Sequence, residues 1–187
     1  MEELTLYMNR SSPYAQSVEL VLEEASIPAK RYEIDLHNKP DWYVSQVNPI
    51  GKVPALTYGG PKVKPDCPSP HSIKLAESLV LLEFIADLYP DACLLPRDPI
   101  ARARARLFIT AVEEDLIPTF LAFVLNGAEP GPLLTSLRHV QALLPPLEDE
   151  GEGEGEGEGC FVLGSQWSIA DAAVAPFLGR NRAHVAI

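Results

Sequence analysis

The first 90 residues alternate between two hydrophobic periods. Leu4 and Leu6 recur at every second position within residues 3–8, the spacing of a strand. Ser11-Ser12-Pro13 interrupts that pattern and opens a helix, because serine favours the capping position and proline the first helical one. Val18, Val21, Leu22 and Ala25 follow at helical spacing, and Pro28 closes the segment. Tyr32, Ile34 and Leu36 alternate as a second strand, and a short polar helix is predicted from 40 to about 47. Residues 53–58 read as a third strand and 73–76 as a fourth. Leu81, Phe84, Ile85 and Leu88 then form an apolar stripe on a helix that begins near Ser78. The predicted order is βαβ, a short helix, ββ, then α. Such a mixed layer needs a helix on each sheet face to bury its core. Residues 59–71, with four prolines and two glycines, form a long surface excursion of the kind that is often functional or mobile.

Residues 89–98 are punctuated by prolines and read as a linker, which divides the chain into an α/β domain at 1–88 and an all-helical domain at 98–187. Residues 101–123 are one long candidate helix, which Pro118 is expected to kink. Arg102, Arg104 and Arg106 near its start read as a solvated basic turn. Leu133, Leu134, Leu137, Val140 and Leu144 mark a second helix. The acidic Glu-Gly tract within 148–159 is expected to be disordered, since alternating glycine and like charge cannot bury a core. It does not supply the fixed, convergent cage that a hard cation requires. Ser168-Ile169-Ala170-Asp171 resembles a capping box with Asp in the last place, and opens a third helix through Ala172, Ala173 and Phe177.

Composition narrows the function. With 187 residues, 47% of them hydrophobic, the chain has material for one large core or two small ones. A net charge of −11 argues against nucleic acid or an anionic membrane surface as partner. Seven of the 26 acidic side chains fall within 148–158, so 15 basic against 19 acidic groups elsewhere leave the folded body at −4. No apolar run approaches the roughly 20 residues that span a bilayer, and the acidic start lacks a secretory pattern. Cys67, Cys93 and Cys160 are odd in number and widely spaced, which suggests small buried or loop residues in a reduced, cytoplasmic setting, without metal-ligand spacing.

Three segments carry a family resemblance: Ser12-Pro13-Tyr14-Ala15, the run from Asn48 through Pro49-Ile50-Gly51-Lys52-Val53 to Pro54, and Glu77-Ser78. In that order and spacing they resemble the cytosolic glutathione transferases, especially the fungal omega-like class. Asn38-Lys39-Pro40-Asp41-Trp42 and Tyr58-Gly59-Gly60-Pro61 are similar to runs of the same class. The resemblance spans residues 3–178 and implies a thioredoxin-like N-terminal domain joined to an all-α C-terminal domain, here incomplete. It also implies glutathione as substrate, with no fixed cofactor and no metal, and a possible homodimer.

A receptor for glutathione must meet two carboxylates, an ammonium and a thiol. By resemblance, Val53 offers its backbone to the cysteinyl unit ahead of a cis Pro54, with Lys52 and Tyr14 beside them. Glu77 pairs the ammonium, and Ser78 with its helix N-terminus receives the α-carboxylate. Lys39 meets the glycyl carboxylate. Each also has a plain structural reading: Pro54 as a strand-start turn, Glu77 and Ser78 as a cap, Lys39 as a solvated charge.

The departure from the resemblance is Ser12, where omega members carry a cysteine that forms a mixed disulfide with glutathione. A hydroxyl cannot exchange disulfides. It can donate a hydrogen bond to a thiolate at a helix N-terminus. The expected activity is therefore conjugation of glutathione to small hydrophobic electrophiles, with thiol-transferase activity weak or absent. Ser12 also reads as a pure N-cap, and Ser11 is a rival hydroxyl; Tyr7 does not align with the nucleophile position. Residues 181–187 no longer follow the resemblance, and the chain ends earlier than family members do. The wall of the electrophile pocket is then expected from Phe108, Val112, Phe120 and Phe123. Two other readings stand beside conjugation: a ligandin that binds glutathione and apolar molecules without efficient turnover, and a shortened product without activity.

Overall fold

The computed structural model describes residues 2–145 and 161–184, which fall into two compact units, Met1–Ala92 and Cys93–Ile187. The Glu-Gly tract expected to be disordered lies outside the described residues, as does Cys160.

The first unit runs β1 (Leu4–Met8), α1 (Pro13–Glu24), β2 (Lys30–Glu33), α2 (Asp41–Gln46), β3 (Ala55–Tyr58), β4 (Ile73–Ala76) and α3 (Ser78–Leu88). The sheet order is β2-β1-β3-β4, with β1 parallel to β2 and antiparallel to β3, and β3 antiparallel to β4. This is the thioredoxin-like arrangement. All five residues of β1 are buried, because both faces of the sheet are covered. Ala15, Val18, Val21 and Leu22 of α1 and Leu81, Leu82, Ile85 and Ala86 of α3 are the buried positions of two helices that pack together. A second cluster joins Tyr7, Ile34, Tyr43, Val47 and Ala55, with Tyr32, Leu36 and Trp42 packed against it.

The excursion after β3 is pinned rather than loose. Tyr7 Oη donates to Pro65 O at 2.8 Å, Lys30 Nζ to Val63 O at 3.1 Å, and Lys74 Nζ to Ser69 O and Ser72 O at 2.5 and 2.7 Å. Lys30 is also ion-paired to Glu3 at 2.8 Å. Thr5, Tyr7, Thr57, Ser69 and Ser72 line a small polar cavity under this strap. Residues that read as surface punctuation in the sequence thus form part of the sheet's cover.

Burial pushes the phenols of Tyr7 and Tyr43 above their ordinary value, the desolvation of the anion being the main cause. The unfolded chain would ionise both near pH 10 while the fold holds them neutral. Stability is therefore complete below about pH 10 and declines as pH rises beyond it. Urea midpoints measured from about pH 8 to about pH 11 should fall, and the fall should be shallower in Tyr43→Phe. Equal slopes for the two proteins would contradict this origin.

The second unit comprises α4 (Pro99–Ala111), a π-helical turn at Val112–Leu116, α5 (Ile117–Asn126), α6 (Pro130–Ala142) and α7 (Ile169–His184). The single kinked helix expected over 101–123 is corrected to α4 and α5 joined through that wide turn. Proline lacks the amide hydrogen of an α-helical ladder and clashes with the carbonyl four residues back. The π turn, closed by the Ile117 N–H on Val112 O, accommodates Pro118 in the first turn of α5. Thr119 Oγ1 takes up the carbonyls of Asp115 and Leu116 at 2.9 and 3.0 Å. Gly127, in the left-handed region at φ 63°, ends α5. Asp98 caps α4 by accepting from Ala101 N at 2.7 Å. Cys67 and Cys93 are exposed loop residues, the second of the two settings expected for them.

Candidate functional site

Strand register brings the three motif segments to one end of the sheet. Tyr7 pairs with Ala55, and Ala55 with Ala76. The chain leaving β1 toward Ser12, the chain entering β3 from Val53, and Glu77 at the exit of β4 therefore meet at that end. Their convergence follows from topology, since no two of them are close in sequence.

Ser12 is the N-cap of α1, with Pro13 in its first turn. Its side chain is largely buried, and Oγ accepts from Ala15 N at 3.3 Å. The hydroxyl hydrogen has no acceptor among the described residues, so it can donate to an anion at the helix mouth. Ser11 differs: it is exposed, and its hydroxyl donates to Asn9 Oδ1. Tyr14 is half-buried in the same first turn.

The approach to β3 is shaped by Asn48, whose carbonyl accepts from Gly51 N at 2.8 Å and whose side chain accepts from Ile50 N at 3.1 Å. Gly51 sits at φ 71°, a left-handed conformation natural to glycine. Lys52 O accepts from Tyr43 Oη at 2.6 Å and Asn48 Nδ2 at 2.9 Å. The Val53–Pro54 peptide bond is cis. The N–H and C=O of half-buried Val53 have no partner among the described residues, leaving a short backbone edge for an extended ligand. The Lys39 side chain runs against Gly51, within 3.6 Å of where a Cβ would stand, so its ammonium lies beside this turn. Lys52 is exposed.

Glu77 precedes α3 at φ 70°, a left-handed conformation unusual for a residue with a side chain, of the kind that concentrates at functional sites. Its carboxylate is exposed and makes no capping bond. The first-turn amides of α3, beginning with half-buried Ser78, have no acceptor among the described residues. One sheet end thus carries a carboxylate, a set of anion-accepting amides, a backbone edge, a lysine and a hydroxyl with an available hydrogen.

The expected pocket wall is placed differently. Phe108, Val112 and Phe120 are buried within the helical unit's own core, where Phe120 meets Phe177 edge-on at 5.7 Å. Phe123 alone of the four is partly open. The spacing of these aromatics marked an inward face and could not separate core from cleft. Sequence reading passed over Asn9 and the supporting part of Tyr43. The signal for Asn9 was a side chain able to close an Asx-turn onto the residue two positions on. No cluster of three or more metal-ligating side chains occurs among the described residues, and none of their helices is long and apolar enough to cross a membrane.

Residues 6–93 match the family described as the glutathione S-transferase N-terminal domain. The chain is 47% identical to glutathione transferase Omega 1C of Trametes versicolor, with a TM-score of 0.88, covering 100% of this chain and 73% of that one. It is 45% identical, with a TM-score of 0.87, to Omega 2S of the same fungus in complex with 2,4-dihydroxybenzophenone, covering 99% of this chain and 75% of that one. The pyrimidodiazepine synthase of Drosophila melanogaster is 39% identical over 57% of this chain, a match that spans only 40% of that protein.

Proposed function

This chain belongs to the omega class of the glutathione transferases, and from that membership we propose that it binds glutathione and conjugates its thiolate to small hydrophobic electrophiles. Glutathione lies with its cysteinyl unit along the Val53 edge. Its γ-glutamyl ammonium faces Glu77, its α-carboxylate meets Ser78 and the first amides of α3, and its glycyl carboxylate lies toward Lys39. Tyr14 and Lys52 border the tripeptide. The sulfur then rests at the mouth of α1.

The observation that carries the reading is the state of the Ser12 hydroxyl. Oγ accepts from the backbone, which leaves its hydrogen available to donate at the open side of the cap. A thiolate there gains a donor and the positive end of the helix. Free glutathione holds its thiol proton to about pH 8.5, and lowering that by about two units, roughly 2.7 kcal/mol, leaves much of the bound thiol ionised at neutral pH. Serine offers no sulfur for exchange, so disulfide reduction is weak or absent.

The test is to titrate the thiol of glutathione bound to the wild-type protein by its thiolate absorbance. The expected midpoint is about two units below the free value. A midpoint equal to that in buffer refutes the assignment.

A second reading has its own support. The related Trametes protein has been solved with 2,4-dihydroxybenzophenone, which favours binding of small apolar aromatics here as well. Retention on immobilised glutathione with no conjugation above the uncatalysed rate would select this binding role, and failure to bind glutathione would remove both.

A further inference from the structure

We propose that Asn9 is a positioning residue that makes Ser12, and not its neighbour Ser11, the hydroxyl that faces the thiol. The inference rests on the thiolate-stabilising reading above and adds to it the device that orients the site.

Asn9 follows β1 directly, and its side-chain amide spans two structures. Nδ2 donates to Ile34 O at 2.9 Å, just past β2, next to the bond from Ile34 N to Met8 O at 2.8 Å. Oδ1 faces the other way and accepts from Ser11 N at 2.9 Å and from the Ser11 hydroxyl. The backbone carbonyl of Asn9 accepts from Ser12 N at 2.9 Å. Rotating the amide by half a turn would set Nδ2 against the Ser11 N–H and Oδ1 against Ile34 O. Both contacts would be repulsive, so the orientation is determined by its surroundings.

Two consequences follow for adjacent serines that are chemically alike. The Ser11 hydroxyl hydrogen is taken up by Asn9, which leaves Ser11 nothing to donate to a ligand. The amides of Ser11 and Ser12 are bonded to the Asn9 side chain and carbonyl respectively, so the chain enters α1 in one conformation and Ser12 Oγ keeps its place at the helix mouth. Pre-set donors stabilise charge more than donors that must reorganise. An alanine at position 9 removes the bridge to Ile34 and releases the Ser11 hydroxyl, while leaving Val53, Glu77, Ser78 and Lys39 in place.

The experiment compares glutathione affinity and the bound-thiol titration in wild type, Ser12→Ala, Asn9→Ala, Asn9→Ser and Ser11→Ala. The thiol midpoint in Asn9→Ala is expected to rise by about one unit, cutting the thiolate fraction near pH 6.5 about fivefold, with affinity changed less than about twofold. Asn9→Ser keeps a weaker acceptor for Ser11 N and should fall between the two. Ser11→Ala should titrate like wild type. A wild-type midpoint in Asn9→Ala, or a Ser11→Ala midpoint as high as that of Ser12→Ala, overturns the proposal while leaving thiolate stabilisation by the protein intact. A wild-type protein that does not lower the thiol midpoint refutes the underlying reading itself. Should Asn9→Ala fail to fold, Asn9→Ser and Ser11→Ala still decide the matter.

Discussion

Replacing Ser12 by cysteine is expected to change the reaction rather than only slow it. The Ser12→Cys side chain takes a position already built for an N-cap followed by proline, at the positive end of α1. A thiol there ionises readily. Presented with the mixed disulfide of glutathione and a small thiol, the new thiolate attacks the glutathionyl sulfur, forms a protein–glutathione disulfide and releases the small thiolate; a glutathione then resolves the adduct as glutathione disulfide, leaving the protein thiolate free. Intact-mass measurement should show one added glutathionyl group, and thiol-transferase turnover should appear where the wild type has little. An unmodified protein after incubation with the disulfide would show that the α1 mouth does not receive the sulfur of glutathione. Ser12→Ala tests the same site in the opposite sense. A thiol returned to about pH 8.5 is roughly fiftyfold less ionised near pH 6.5, while the more basic thiolate is about eightfold more reactive per ion. Conjugation should therefore fall about sixfold near pH 6.5, and the deficit should vanish at about pH 7.6 and reverse above it as the ionised fractions converge. An equal rate at the lower pH would refute a part for Ser12 in activating the thiol.

Loss of the Asp171 carboxylate is expected to cost the helical unit about 3 kcal/mol. One oxygen accepts from Val162 N at 2.8 Å, and the other from Ser168 N at 2.9 Å and Ser168 Oγ at 3.0 Å. Ser168 is fully buried and Val162 nearly so, so Asp171→Ala strands their amides away from water. The same carboxylate joins the 161–168 approach to α7, whose Ala172, Ala173 and Phe177 are buried in the core. Thermal unfolding should shift down by about 10 °C, with Asp171→Asn recovering about half because a carboxamide has only one acceptor oxygen. A melting temperature of Asp171→Ala within about 1 °C of wild type would show that the box adds nothing.

Legibility varied with the range of the interaction. The strand and helix order of the first unit could be read from period, because inward positions repeat every two residues on a strand and about every 3.6 on a helix. Leu4 and Leu6, Val18 and Val21, Leu81 and Ile85 all proved buried. Local caps were equally legible: the bonds from Ala15 N to Ser12 and from Ser168 to Asp171 each span three residues. The π turn was not, since one extra residue per turn leaves the spacing of Phe108, Val112, Leu116 and Phe120 looking like an ordinary helical face. The anchoring of the strap was not legible for another reason. Its anchors are Tyr7, Lys30 and Lys74, and the bond from Tyr7 to Pro65 spans 58 positions.

What the chain order determined by itself was the kind of chemistry available: a hydroxyl before proline at a helix start, an Asn-Pro turn leading to Val53-Pro54, and an acidic residue ahead of α3. Each depends on neighbouring residues and on backbone preferences that act locally. What only the folded chain decided was which of these meet and which of two equivalent hydroxyls is left to act. Strand pairing set Tyr7 opposite Ala55 and Ala55 opposite Ala76, drawing the three segments to one sheet end. A side-chain amide bonded to Ile34, 25 positions away, then set the orientation of the turn that holds Ser11 and Ser12. Hydrogen bonds across the sheet connect residues that sequence separates, so no local pattern records them.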